Sequence, residues 1–182
     1  MKQQQLYEQL RGGLVAARER IAVAARSLDG AMLNEHPEPK GWSVAEVLEH
    51  LCVTDEAYDA PLDALLRGAR PDAGAPAREW KPTFLGGMIA GSLERPRKLS
   101  APRMFQPGPG ARNAIVEALL DRETAALKRI DDAQQLDWRA LRIASPVLPP
   151  WLPKMNLGDA FRIHVVHLAR HAAQIERVSG KL

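Results

Sequence analysis

Residues 156–180 read NLGDAFRIHVVHLARHAAQIERVSG, and this stretch decides how the rest of the chain is read. Leu157, Phe161, Leu168, Ile175 and Val178 recur at the helical period and make one apolar stripe. Asn156 and Asp159 have the spacing of an N-cap and its third-position acid, and Gly180 suits the residue just past a helix end. At about 100° per residue, His164, His167 and His171 fall within an arc of roughly 60°. That arc overlaps the apolar stripe, so the three imidazoles point toward a core.

Working outward, the chain repeats the pattern. Leu6, Leu10, Leu14, Ala17, Ile21, Ala25 and Leu28 step by threes and fours, which predicts a helix over 5–30, weakened locally by Gly12 and Gly13. Pro37, Pro39 and Gly41 mark 31–42 as a loop. A second helix starts at Ser43, where Ser43 and Glu46 have capping-box spacing and Trp42 and Val47 stand where a hydrophobic staple closes. Pro61 is expected to kink or split it. Residues 67–112 hold seven of the fourteen prolines and seven of the thirteen glycines, with one short helix predicted at Phe84–Glu94. A third long helix is expected over about 111–135, carrying Ile115, Leu119, Ala126 and Ile130, followed by a proline-rich loop at 145–153. No strand pattern competes. The expectation is an all-α fold, a four-helix bundle in a single domain over 1–182, with a long crossover connection between the second and third main helices.

Composition narrows the function classes. A chain of 182 residues can bury a core without staples, and its one cysteine, Cys52, excludes an intramolecular disulfide. The N-terminus has no continuous apolar run after its charges, and no stretch approaches the roughly 18 apolar residues of a membrane span. A cytoplasmic protein with no membrane partner is expected. The net charge of +3 is uneven: residues 67–112 carry nine Lys/Arg against three Asp/Glu. That basic stretch either faces an anionic ligand or is a solvated loop. Basic residues interleaved with stacking aromatics are missing, so no nucleic-acid partner is expected.

The histidines carry the chemistry. His36 lies among prolines and reads as a surface residue. His50, on the second helix beside Val47 and Thr54, reads as inward. Buried imidazoles need partners. One inward histidine is ordinarily a core residue with a hydrogen bond, but four from two helices suggest a metal, for which neutral imidazole is a common ligand. His167 and His171 stand one turn apart, within reach of one ion, and His50 can add a third ligand from the neighbouring helix. Three protein ligands leave a position open for water or substrate. His164 is read as an outer donor, a proton shuttle or packing, outside the ligand set.

Two stretches resemble a known family. GWSVAEVLEHL at 41–51 and HVVHLARHAAQIER at 164–177 are similar to the second-helix and last-helix signatures of the DinB-like, or YfiT-like, superfamily of metal-dependent enzymes. KLSAPRMFQPG at 98–108 resembles a Lys/Pro-rich segment of one branch. The resemblance implies a four-helix bundle with a three-histidine metal site, whose ligands fall on His50, His167 and His171. It implies zinc or nickel as the metal, a homodimer, and transferase or isomerase chemistry with low-molecular-weight thiols. His164 departs from the shared pattern.

The expected function is therefore that of a divalent-metal enzyme acting on a small-molecule substrate. It either activates water for hydrolysis or activates a low-molecular-weight thiol for S-transfer. The alternative is a metal-stabilised bundle with a binding or assembly role and no turnover. Cys52 reads as a small core residue. Glu49, Asp55, Glu56 and Asp59 read as a solvated helical face. Gln174 either orients a ligand or bonds a neighbouring helix.

Overall fold

The structure, a computed structural model, describes residues 1–95, 100–108, 114–146 and 148–182. Four long helices make the body: α1 (Gln3–Arg26), α3 (Val44–Gly68), α5 (Ile115–Asp132) and α6 (Leu157–Ser179). Two shorter ones join them, α2 (Gly30–Asn34) and α4 (Phe84–Glu94). This is the expected all-α architecture, with α4 inside the long connection between α3 and α5. Among the described residues, no helix is long and apolar enough to cross a membrane.

The helix starts follow their caps. Ser43 Oγ accepts from the Glu46 backbone N–H at 3.2 Å, while Glu46 Oε2 accepts from the Ser43 N–H at 2.9 Å. Such a cap stabilises by about 1 kcal/mol. Asn156 caps α6 in the same reciprocal way, accepting from Asp159 N at 2.8 Å. Leu6, Leu10, Leu14 and Ile21 of α1 bury against Phe161, Val165, Leu168 and Ile175 of α6, in one core with Leu48 and Leu51 of α3 and Leu119 and Ile130 of α5. Of the two glycines that blur the pattern of α1, Gly13 has a use here. A Cβ on Gly13 would stand 3.0 Å from Val165 Cγ1, so the missing side chain lets α1 lie close on α6.

Four expectations need correction. Residues 31–42 are not all loop, because Asp29 accepts from Ala31 N and Met32 N and nucleates α2. Pro61 does not split α3, which runs unbroken from Val44 to Gly68. The ring is exposed, so water can serve the Ala57 carbonyl that loses its N–H partner. On either side, Asp59 and Asp63 bind Arg129 of α5 at 2.7 Å each and hold the helix to its neighbour. The third helix begins at Ile115; the earlier part of the expected span, 111–113, lies outside the described residues, as do Lys98 and Leu99 of the Lys/Pro-rich segment and Val147 of the proline-rich loop. A two-stranded antiparallel ladder also exists, β1 (Arg142–Ile143) with β2 (Met155–Asn156). Two residues are too few to show a period-two pattern in sequence.

The crossover is pinned to the start of α6. Trp80 Nε1 donates to Asn156 Oδ1 at 3.0 Å, and Asn156 Nδ2 donates to the Lys81 carbonyl at 2.9 Å. Thr83, the N-cap of α4, donates to Asp159 Oδ2 from its backbone at 3.0 Å and its hydroxyl at 2.6 Å. Gly158 makes room for this docking, since a Cβ there would stand 2.2 Å from the Trp80 indole nitrogen. The capping residues of α6 thus fix both the helix and the wall that covers it.

Candidate metal centre

Three imidazoles meet between α3 and α6. His50 and His171 are buried and His167 is half-buried. His167 Nε2 lies 3.1 Å from His50 Nε2 and 3.1 Å from His171 Nε2. The outer nitrogens of two rings are already engaged. His50 Nδ1 donates to the Phe105 carbonyl at 2.6 Å, and His171 Nδ1 donates to Gln174 Oε1 at 2.9 Å. A neutral imidazole carries one proton, so these bonds leave Nε2 of both rings as lone pairs aimed inward. His167 can place at most one proton on its own Nε2, which serves one of those two lone pairs.

A divalent cation would serve all three nitrogens together. Tetrahedral ligands at about 2.0–2.1 Å from zinc stand about 3.3–3.4 Å from one another, close to the spacing here. The protonation states suit the task, because metal ligands must be unprotonated. Burial holds the His50 pKa below its ordinary value, although the Phe105 carbonyl partly opposes it. Burial, reinforced by the neighbouring rings, pushes His167 well below its ordinary value. Burial and the nearby His50 bring His171 down to about 3. The donor set therefore fits a borderline divalent ion held by neutral nitrogens.

The parts around the ligands come from distant sequence. Phe105 belongs to a one-turn 3-10 helix, Arg103–Phe105, in the crossover. Trp42 lies just before α3, and its ring packs 5.0 Å from that of His50. Gln174 is the next turn of α6, and of its two expected roles it takes the first, holding the His171 ring. A cavity of about 1340 Å³ opens on the three histidines, walled by Trp42, Tyr58, Leu62, Ile89, Leu93 and Phe105. The crossover does face this cavity, but its basic residues hardly do: among those described, Arg95 alone lines it. Arg122, Arg129 and Arg177 also line it, from α5 and α6, and each is paired with an acid.

His164 lies elsewhere. Its Nε2 sits 2.9 Å from Glu123 Oε2 and its Nδ1 sits 3.2 Å from Asp55 Oδ1. It does not join the trio, in keeping with its place outside the ligand set. Its surroundings correct the expectation of a solvated face on α3: the Asp55 side chain is 11% exposed, and Glu49 is buried too. Glu123, on α5, was absent from every sequence motif, since one acid on an amphipathic helix has no distinguishing spacing. Burial alone would lower the His164 pKa, but the charges of Glu123 and Asp55 raise it well above the ordinary value. Burial raises that of Glu123, with Asp55 adding to the effect and His164 opposing it.

The other residues fall largely where expected. His36 is exposed, with Nδ1 2.9 Å from the Gly41 carbonyl. Cys52 is fully buried in the core.

Comparison with known proteins agrees with the fold. No curated protein matches the chain, and no solved structure does. The DinB superfamily model matches residues 14–175, a span from within α1 to within α6 that takes in all three histidines of the trio, and the chain belongs to that superfamily.

Proposed function

We propose that this chain is a metal-dependent enzyme in which His50, His167 and His171 hold one divalent ion, zinc or nickel, at the wall of a substrate cavity. One observation carries the reading: three inward Nε2 atoms, two of them fixed as lone pairs and each of those two 3.1 Å from His167 Nε2, stand beside a cavity of about 1340 Å³. The cavity favours turnover over a purely structural site, because a metal that only braces a bundle is enclosed by four protein ligands.

Bound there, the ion would supply Lewis-acid activation of a nucleophile, either water for a hydrolase or a low-molecular-weight thiol for an S-transferase. The chain's own residues do the rest. The Phe105 carbonyl and Gln174 hold two rings in the tautomer that presents Nε2, and Trp42 covers His50. The wall residues Trp42, Leu62, Ile89, Leu93 and Phe105 offer an apolar surface to a small-molecule substrate. A cytoplasmic homodimer is part of the same reading.

The test is cobalt substitution. Titrating cobalt-loaded protein with small thiols should shift its visible absorption bands, as an exchangeable position at the metal requires. A spectrum indifferent to thiols and to small anions would contradict the enzyme reading and favour a closed structural site.

A further inference from the structure

The trio leaves the neighbouring cluster unexplained. Asp55 of α3, Glu123 of α5 and His164 of α6 bring two carboxylates and an imidazole together, with one ligand-type atom from each inside a mutual distance of 4.8 Å. The Glu123 side chain is 0% exposed. Two of the cluster's oxygens, Asp55 Oδ2 and Glu123 Oε1, are buried and have no hydrogen-bond donor. The nearby arginines do not serve them. Arg122 binds Asp59 and Glu56, and Arg129 binds Asp59 and Asp63. Two buried carboxyl groups thus face one imidazole, which leaves an oxygen of each without a partner.

We infer that Asp55, Glu123 and His164 form a second divalent-cation site, separate from the three histidines. A cation there would take one oxygen from each carboxylate and one nitrogen from His164, and would compensate the two oxygens that lack donors. The three elements that supply these ligands are the same packed helices that form the core, so the donors are held before any ion arrives. An O,O,N donor set is harder than the all-nitrogen trio and suits an ion of the manganese(II) class, which the site takes once zinc has gone to the trio. His164 precedes His167 by one turn, about 4.5 Å along the helix axis, and both line the same cavity, as does Asp55. The two sites thus place two different divalent ions on neighbouring turns of α6, with the softer donors on one and the harder on the other.

The competing occupant is a proton shared between the two carboxyls, which would also quiet the cluster. Metal binding tells them apart. Chelator-stripped protein is first given one equivalent of zinc and then titrated with manganese(II), with the free ion followed by electron paramagnetic resonance. The proposal expects one manganese bound per chain. Glu123→Gln and Asp55→Asn, close in shape to the native side chains, should each weaken that binding by about tenfold or more. His167→Ala, which disables only the trio, should keep it when the zinc step is left out, since zinc would otherwise take the second site in that variant. Circular dichroism checks that each variant is folded. No bound manganese in the wild-type protein at millimolar concentration overturns the proposal, and so does unchanged affinity in both carboxamide variants. Loss of zinc binding with retained manganese binding would count against the trio alone, so the two sites succeed or fail separately.

Discussion

The two histidine clusters share α3 and α6 and lie on adjacent turns, yet they treat an imidazole in opposite ways. In the trio, burial holds every histidine's pKa below its ordinary value, neighbouring rings add to the effect on His167 and His171, and a carbonyl and an amide oxygen fix which nitrogen of His50 and His171 faces inward. In the cluster around His164, burial acts in the same direction but two buried carboxylates overcome it. The difference shows that helix position brings a histidine inward while the neighbouring helix decides its charge. Toward His50 the neighbour is another imidazole; toward α5 it is Glu123.

The largest expected effect tests that contrast in metal-free protein. His164→Ala leaves two buried carboxylates without their cationic partner and should cost about 3–5 kcal/mol, as breaking a buried pair from one side does. His167→Ala removes one of three neutral rings and should cost about 1 kcal/mol. Urea unfolding of both variants in chelator measures the two costs, and equal values would erase the distinction between the clusters.

A smaller effect sharpens the picture of the trio. Gln174→Leu removes the acceptor for His171 Nδ1 and frees the ring to take the other tautomer. Zinc affinity, measured by competition with a chromophoric chelator, should fall about 10–100-fold, with the metal-free stability little changed. Unchanged affinity would mean that something other than Gln174 orients His171.

Much of this was legible in sequence where local chemistry fixes local structure. The Ser43/Glu46 box marks where α3 begins, Phe84–Glu94 is the helix its composition suggests, and Asn156 with Gly180 brackets α6. The i, i+4 spacing of His167 and His171 together with the family pattern was enough to pick the trio. What was hidden depends on tertiary contact. The Phe105 carbonyl that holds His50 is backbone and has no sequence signature. Glu123 looks like any acid on an amphipathic helix until α5 turns it toward His164, and Asp55 sits among acids that do face arginines or solvent. Pro61 reads in sequence as a kink or a split, and it does not split α3: ion pairs to α5 flank it and the exposed ring leaves the freed carbonyl within reach of water.

The central claim, that His50, His167 and His171 together hold a divalent ion, has a direct test. Chelator-stripped wild-type and His167→Ala proteins are incubated with excess zinc, passed through a desalting column and analysed for metal per chain. The account predicts that the wild type retains one more equivalent of zinc than the variant, with both folded by circular dichroism. Equal zinc in the two proteins, whether negligible or stoichiometric, would contradict it.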